Sequence, residues 1–214
     1  EYQVGNDVLS PTDLSALVLK EMKLLAESKI GEIQKAVVTI PANFAHEARD
    51  ATMHAAALAG LDVEFIINEP TAAALYYAYA EQEDLFGPYA VYDLGGGTFN
   101  ISIIKVHNGD VEVLASNGVS QLGGDDFDKK LQELVKEKFE QETGKDFDPE
   151  DFTEFDAEQE KITLSQRKRT TVQIGRSLID IRREDFEEAL SSLVAQTEML
   201  CEAALDDADL EPDD

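Results

Sequence analysis

Between Ala36 and Ala80 short β-branched runs alternate with alanine-rich helical ones, an order that points to an α/β layer rather than a helical bundle. Ala36-Val37-Val38-Thr39-Ile40, stopped by Pro41, has the continuous apolar character of a strand buried on both faces. A helix is predicted from about Ala45 to Ala59 with Gly60 as its stop, then a strand over Val63 to Ile67. Asn68-Glu69-Pro70-Thr71 opens a further helix running from Ala72 to about Ala80. Upstream, Ser10 as N-cap, Pro11 at the first helical position and Asp13 in the first turn start a helix of about four turns, which Gly31 ends.

A different pattern follows. The acidic run from Glu81 to Asp84 with Gly87-Pro88 reads as a linker. Strands over Tyr89 to Leu94, Thr98 to Val106 and Val111 to Leu114 then make an antiparallel meander, turning at Gly95-Gly96-Gly97 and at the hairpin dipeptide Asn108-Gly109. Gly123-Gly124-Asp125-Asp126 starts a helix with apolar residues at Phe127, Leu131, Leu134, Val135 and Phe139 and a stop at Gly144. The stretch from Asp146 to Phe155 shows no period. Thr170 to Ile174 and Leu178 to Ile181 suit a small hairpin around Gly175, and a long helix runs from Arg183 to about Leu205.

Composition narrows the partners. The 214 residues carry 18 Lys and Arg against 45 Asp and Glu, a net charge of −27 that repels phosphate backbones and anionic lipid surfaces. Neither nucleic acid nor membrane is expected as a partner. The single cysteine, Cys201, excludes a disulfide framework within the chain and any multi-thiolate zinc site, and suits a reducing, cytoplasmic setting. Glu1 to Asn6 show no signal-peptide pattern, and a chain beginning at Glu1 also suits a piece of a longer polypeptide.

Asp93-Leu94-Gly95-Gly96-Gly97-Thr98 is the segment richest in chemistry. Three residues without Cβ let backbone approach a ligand, successive N–H groups can form an anion-binding concavity, Thr98 adds a hydroxyl, and Asp93 can hold magnesium through its water shell. The same six residues also suit a glycine hairpin without a ligand. Gly123-Gly124 can present a helix N-terminus to phosphate, or be an ordinary strand-to-helix connection. Glu69, between a strand end and a helix-starting proline, can orient a water or simply favour the helix start. No GxxxxGK[ST] or GxGxxG occurs. His46, His54 and His107 share no metal-ligand interval, and Gly118-Val119-Ser120-Gln121-Leu122 misses a nucleophile elbow at its last position. Asn100-Ile101-Ser102 matches a glycosylation acceptor inside a predicted strand, and Arg167-Lys168-Arg169 reads as a solvated turn.

Four segments fall together in one order: Ile40 to Phe44, Ile66 to Ala74, Asp93 to Phe99 and Leu122 to Phe127. With this spacing the chain resembles the central part of the nucleotide-binding domain of the seventy-kilodalton heat-shock (DnaK-type) chaperones, from about Ser10 onward and most weakly between Phe139 and Ile181. The resemblance implies an α/β, actin-like ATPase (ribonuclease H-like) fold, with parts of two lobes present. It divides the chain into 1–82 as the C-terminal part of lobe I, 83–122 as the lobe II meander with its phosphate loop, 123–190 as a smaller subdomain, and 191–214 as a returning helix. Gly95, Gly96, Gly97 and Thr98 look like the second phosphate loop. Asp93 resembles the carboxylate serving hydrated magnesium, and Glu69 the residue at the hydrolytic water. Gly123 and Gly124 resemble a turn between subdomains at the nucleotide. Glu158, Lys161 and Ser165 match residues that hold the adenosine, and Pro41 and Arg49 the pair that relays nucleotide state. ATP or ADP, Mg2+ and K+ are the cofactors this implies. Client polypeptides, a J-domain cochaperone and a nucleotide-exchange factor are the partners.

Two positions depart from that pattern: Asn100 stands where a second carboxylate is usual, and Ile162 where an arginine usually stacks on adenine. The first lobe's phosphate loop and lysine, the C-terminal glycine-rich adenosine motif and a substrate-binding domain do not occur in these residues. The chain by itself is therefore expected to bind ATP weakly and hydrolyse it negligibly. Two alternatives remain open: a nucleotide-sensing scaffold without catalysis, and another actin-like ATPase such as a filament former or sugar kinase.

Overall fold

A computed structural model describes residues 2–4, 7–81 and 85–213. They fall into two compact units, one within 1–89 and 104–114, the other within 90–103 and 115–214.

The first unit begins with the paired strands β1 (Tyr2–Val4) and β2 (Asp7–Leu9), in register Tyr2 to Leu9. Helix α1 (Pro11–Ile30) starts on a complete capping box: the Ser10 hydroxyl accepts from the Asp13 N–H, and the Asp13 carboxylate accepts from the Ser10 N–H and hydroxyl. Gly31 ends it with φ 86°, a conformation that favours glycine. At 20 residues α1 is longer than the four turns expected. Strand β3 (Ala36–Ile40), helix α2 (His46–Leu58), strand β4 (Val63–Asn68) and helix α3 (Glu69–Glu81) follow in the order read from the sequence. β3 and β4 pair in parallel, Ile40 facing Asn68.

The expected double burial of β3 is not found. Ile40 is buried, but Val37 and, on β4, Phe65 are more than half exposed. Packing on this two-stranded sheet comes from α2 and α3, while Leu19, Met22 and Ala26 of α1 and Val37 and Val38 of β3 line one cavity of about 690 Å³.

Gly87 and Pro88 are not linker residues; they open strand β5 (Gly87–Leu94), where a proline is tolerated near a strand start. Gln82, Glu83 and Asp84 of the expected linker lie outside the described residues. β5, β6 (Phe99–His107) and β7 (Asp110–Val119) form the meander in that order, and Asn108 and Gly109 turn β6 into β7 with φ 52° and 84°.

The second unit has the denser core. Helix α4 (Gly124–Thr143), helix α5 (Glu154–Gln166), the hairpin β8 (Arg169–Ile174) and β9 (Ser177–Arg182), and helix α6 (Arg183–Asp207) bury Leu131, Val135, Leu164, Ile179 and Ile181 almost completely. α5 follows an aperiodic stretch, yet its start carries a local signal. The Thr153 hydroxyl accepts from the Asp156 N–H while the Asp156 carboxylate accepts from Thr153. Among the described residues no helix is long and apolar enough to cross a membrane.

Candidate functional site

In the second unit the two glycine turns form one structure. The Gly95 N–H donates to the Thr98 carbonyl at 2.9 Å, closing the turn after β5. The first N–H groups of α4 then take its inner carbonyls: Gly124 N–H to Gly95 O at 2.9 Å, and Asp125 N–H to Gly96 O at 2.7 Å. A Cβ on Gly123 would sit 2.3 Å from the Gly96 oxygen and 2.7 Å from the Gly97 nitrogen, so this close approach of two backbones admits only glycine.

The consequence is directional. With the Gly95 and Gly96 carbonyls engaged by α4, the N–H groups of Gly96 and Gly97 have no acceptor among the described residues, and both residues are exposed. Successive exposed amides without acceptors are able to receive an anion. Asp93 at the end of β5 and Thr98 after the glycines are also exposed. The Asp125 carboxylate lies over the same bend, its oxygens 3.5 and 3.7 Å from where Cβ atoms on Gly96 and Gly97 would be. A hydrated divalent cation commonly takes one or two carboxylates and completes its shell with water and phosphate oxygen, chemistry that Asp93 and Asp125 beside this turn are able to supply. No set of three or more metal-ligating side chains occurs among the described residues, so the protein groups alone make no closed metal cage.

Lys161 reaches this junction from α5. Its Nζ donates to the Gly124 carbonyl at 3.0 Å and to Asp128 Oδ2 at 2.9 Å. Asp128 Oδ1 lies equally close to Nζ but is buried without a hydrogen bond among the described residues. Lys161 and Ser165 line one cavity of about 400 Å³ with Phe127, Ile162 and Phe186, whereas Glu158 is exposed and not part of that lining. The Ser165 hydroxyl donates back to the Lys161 carbonyl at 3.1 Å.

The remaining predicted residues gather in the first unit, at the C-terminal ends of β3 and β4. Pro41 directly follows β3, and Glu69 is the first residue of α3. The Arg49 guanidinium donates to the Phe44 carbonyl at 3.3 Å and to Asn68 Oδ1 at 3.2 Å, binding the segment after Pro41 to the residue before Glu69. Carboxyl ends of parallel strands are where α/β layers place ligands.

Three further residues contribute here, outside the motifs named above. Asp128 stands on the apolar stripe of α4, three residues before Leu131 and seven before Val135, and a carboxylate at such a position signals a buried partner. Tyr92, beside Asp93, donates its hydroxyl to Thr197 of α6 at 2.9 Å, a pairing 105 residues apart in sequence that no local pattern announces. Arg183, at the start of α6, lines the cavity of Lys161 and Ser165.

The profile of the family described as Hsp70 protein matches residues 1–214. Two proteins of Histophilus somni, strains 129Pt and 2336, each named chaperone protein HscA homolog, are 40% identical over 208 residues, covering 97% of this chain and 33% of their own length. The chain thus spans about a third of the length of the curated relatives it matches. A family match along the whole chain, joined to a glycine turn with outward amides beside a carboxylate, gives one conclusion: the chain belongs to the Hsp70 family.

Proposed function

We propose that this chain is part of the nucleotide-binding domain of a molecular chaperone with the actin-like ATPase fold, acting in the cytoplasm. ATP binding and hydrolysis there would control the grip on unfolded polypeptides, with a J-domain cochaperone and a nucleotide-exchange factor as partners. The family membership and the chaperone relatives support this reading. The observation that carries it is the Gly95–Thr98 turn, whose inner carbonyls are taken by α4 while the Gly96 and Gly97 N–H groups have no acceptor among the described residues.

In this reading the Gly96 and Gly97 amides and the Thr98 hydroxyl bind phosphate oxygens, and the Gly123-Gly124 turn holds that bend in shape. Asp93, with Asp125 nearby, would hold hydrated Mg2+, which supplies the positive charge that lets phosphate lie among carboxylates; K+ would serve the same phosphates. Lys161, Ser165 and Glu158 serve the nucleoside end. Glu69 orients the attacking water by accepting its hydrogen bond. Arg49 and Pro41 report the state of that end of the parallel pair to the rest of the polypeptide.

One observation favours a second reading, nucleotide binding without turnover. Asn100 is neutral, and its Oδ1 lies 2.5 Å from where a Cβ on Gly118 would be, so the side chain rests against β7. Calorimetry of the full-length polypeptide with Mg·ADP and Mg·ATP, alongside phosphate release, tests both readings. Binding that Gly123→Ala abolishes supports the phosphate loop; absence of binding overturns it. Turnover that appears only in Asn100→Asp supports the scaffold.

A further inference from the structure

Six of the 18 Lys and Arg fall within residues 167–183, where Asp180 is the one acid of the 45. On a chain of net charge −27 this is a local reversal of sign, and the fold gathers it further. The Arg183 N–H donates to the Lys168 carbonyl at 2.9 Å, and β8 pairs with β9 so that Arg169 stands directly opposite Arg182. Val172, Ile174, Ile179 and Ile181 are the buried residues of the hairpin, so the alternation puts Arg169 and Arg182 together on its outer face. Arg167, Lys168, Arg169 and Arg182 are all exposed.

Like charges directly opposite on paired strands destabilise the pair. Among the described residues none of these four cations makes an ion pair. The neighbouring acids are engaged elsewhere: Asp180 accepts from the Thr171 hydroxyl at 2.6 Å, Glu160 accepts from Thr170, and Asp185 pairs with Lys138, which leaves the exposed Glu184. A single charge on an edge strand guards it against pairing with another chain, but four of one sign, two of them face to face, exceed that need. We propose that this end of the hairpin is a docking surface for a short, carboxylate-rich segment of a partner protein. The planar fork of arginine takes a carboxylate through two parallel hydrogen bonds, and Arg169 and Arg182 offer two forks side by side. A short acidic segment is favoured over a nucleic acid because physiological salt confines the field of a charge to about 8 Å. A few carboxylates meet the basic patch alone, whereas an extended phosphate backbone also meets a chain that is otherwise strongly acidic. The surface is separate from the cavity of Lys161 and Ser165, whose lining includes Arg183 and Glu187 but none of these four cations, so docking there does not depend on nucleotide.

Fluorescence anisotropy of a labelled hexaglutamate peptide on the full-length polypeptide tests this, with hexaglutamine and a single-stranded oligothymidylate for comparison. Hexaglutamate should bind and hexaglutamine should not, and raising salt from about 50 to 300 mM should weaken the complex several-fold. Arg169→Gln combined with Arg182→Gln should weaken hexaglutamate about tenfold. The urea midpoint of that variant should hold or rise, because the opposed charges are gone. Arg167→Gln combined with Lys168→Gln should show a loss of the same order, and provides the measurement if the first variant does not fold. Absence of hexaglutamate binding, or binding that neither double variant weakens, would overturn the proposal. A lowered urea midpoint with unchanged peptide affinity would make the cations structural. An oligothymidylate that binds as tightly as hexaglutamate and suffers the same losses would assign the surface to nucleic acid and overturn it as well.

Discussion

Lys161 Nζ and the Asp128 carboxylate stand 2.9 Å apart, the lysine side chain about one fifth exposed and the aspartate nearly buried. This pair joins α5 to α4, and Lys161 also reaches the Gly124 carbonyl in the first turn of α4, which is itself hydrogen-bonded to the glycine bend after β5. Charge at Asp128 therefore bears on the shape of a loop that it does not touch. Asp128→Ala leaves an ammonium facing the Gly124 carbonyl without its counter-ion, and should destabilise the chain by about 3 kcal/mol, toward the low end for breaking a buried pair because Lys161 retains some water. Replacing both partners together, as Asp128→Leu with Lys161→Met, should recover most of that loss in urea unfolding. Equal destabilisation by the single and double replacements would show that the pair does not act as a unit.

The glycines at the start of α4 should differ in tolerance. A methyl group on Gly123 meets the Gly96 backbone at 2.3 Å, whereas one on Gly124 first meets the movable end of Lys161 at 3.2 Å. Gly123→Ala should therefore cost about 2 to 3 kcal/mol in stability and displace the Gly95–Thr98 turn, while Gly124→Ala should cost less than about 1 kcal/mol. Urea unfolding of both variants, with ADP calorimetry of the full-length forms, checks the ranking; equal effects would contradict the close approach.

Much of this arrangement is legible in the residues themselves. Ser10-Pro11-Thr12-Asp13 states the start of α1 because capping is local, and Asn108-Gly109 states its turn for the same reason. Asp93-Leu94-Gly95-Gly96-Gly97-Thr98 announces a turn that can bind an anion, but not that α4 would engage its carbonyls, which depends on a segment nearly thirty residues away. The start of α5 was legible in Thr153 and Asp156 but was masked by the acidic, aperiodic stretch before it. Val37 shows the opposite error: an apolar run reports what a strand can bury, not what packs on it.

Acid should loosen the second unit at identifiable points. The Thr153 hydroxyl and N–H hold the Asp156 carboxyl below its ordinary value of 3.8, and the hydrogen bond and charge of Lys138 do the same for Asp185. A carboxyl depressed in the folded state stabilises fully above its unfolded value and loses that contribution as pH falls through the lower folded value. The urea midpoint should thus decline as pH drops from about 5 toward 2, and Asp156→Asn with Asp185→Asn should flatten that decline. An unchanged slope in the double variant would place the acid sensitivity elsewhere.

The last prediction concerns how Asp93 is held. Tyr92 donates to the buried Thr197 hydroxyl, which donates onward to the Val194 carbonyl at 2.8 Å, and the Tyr92 ring packs on Phe99 with centroids 4.7 Å apart. The strand end that presents Asp93 is thereby tied to α6 by a hydrogen bond and braced by a ring across the glycine turn. Tyr92→Phe removes the donor but keeps the ring, and should cost about 1 kcal/mol. Thr197→Val removes the acceptor and should cost a similar amount, with the double variant costing little more than either single one, because they remove the same bond. If the bond also sets the position of Asp93, each variant should weaken Mg2+-dependent ADP binding more than binding measured without Mg2+. Additive stability losses, or equal loss of affinity with and without the cation, would reduce the contact to packing.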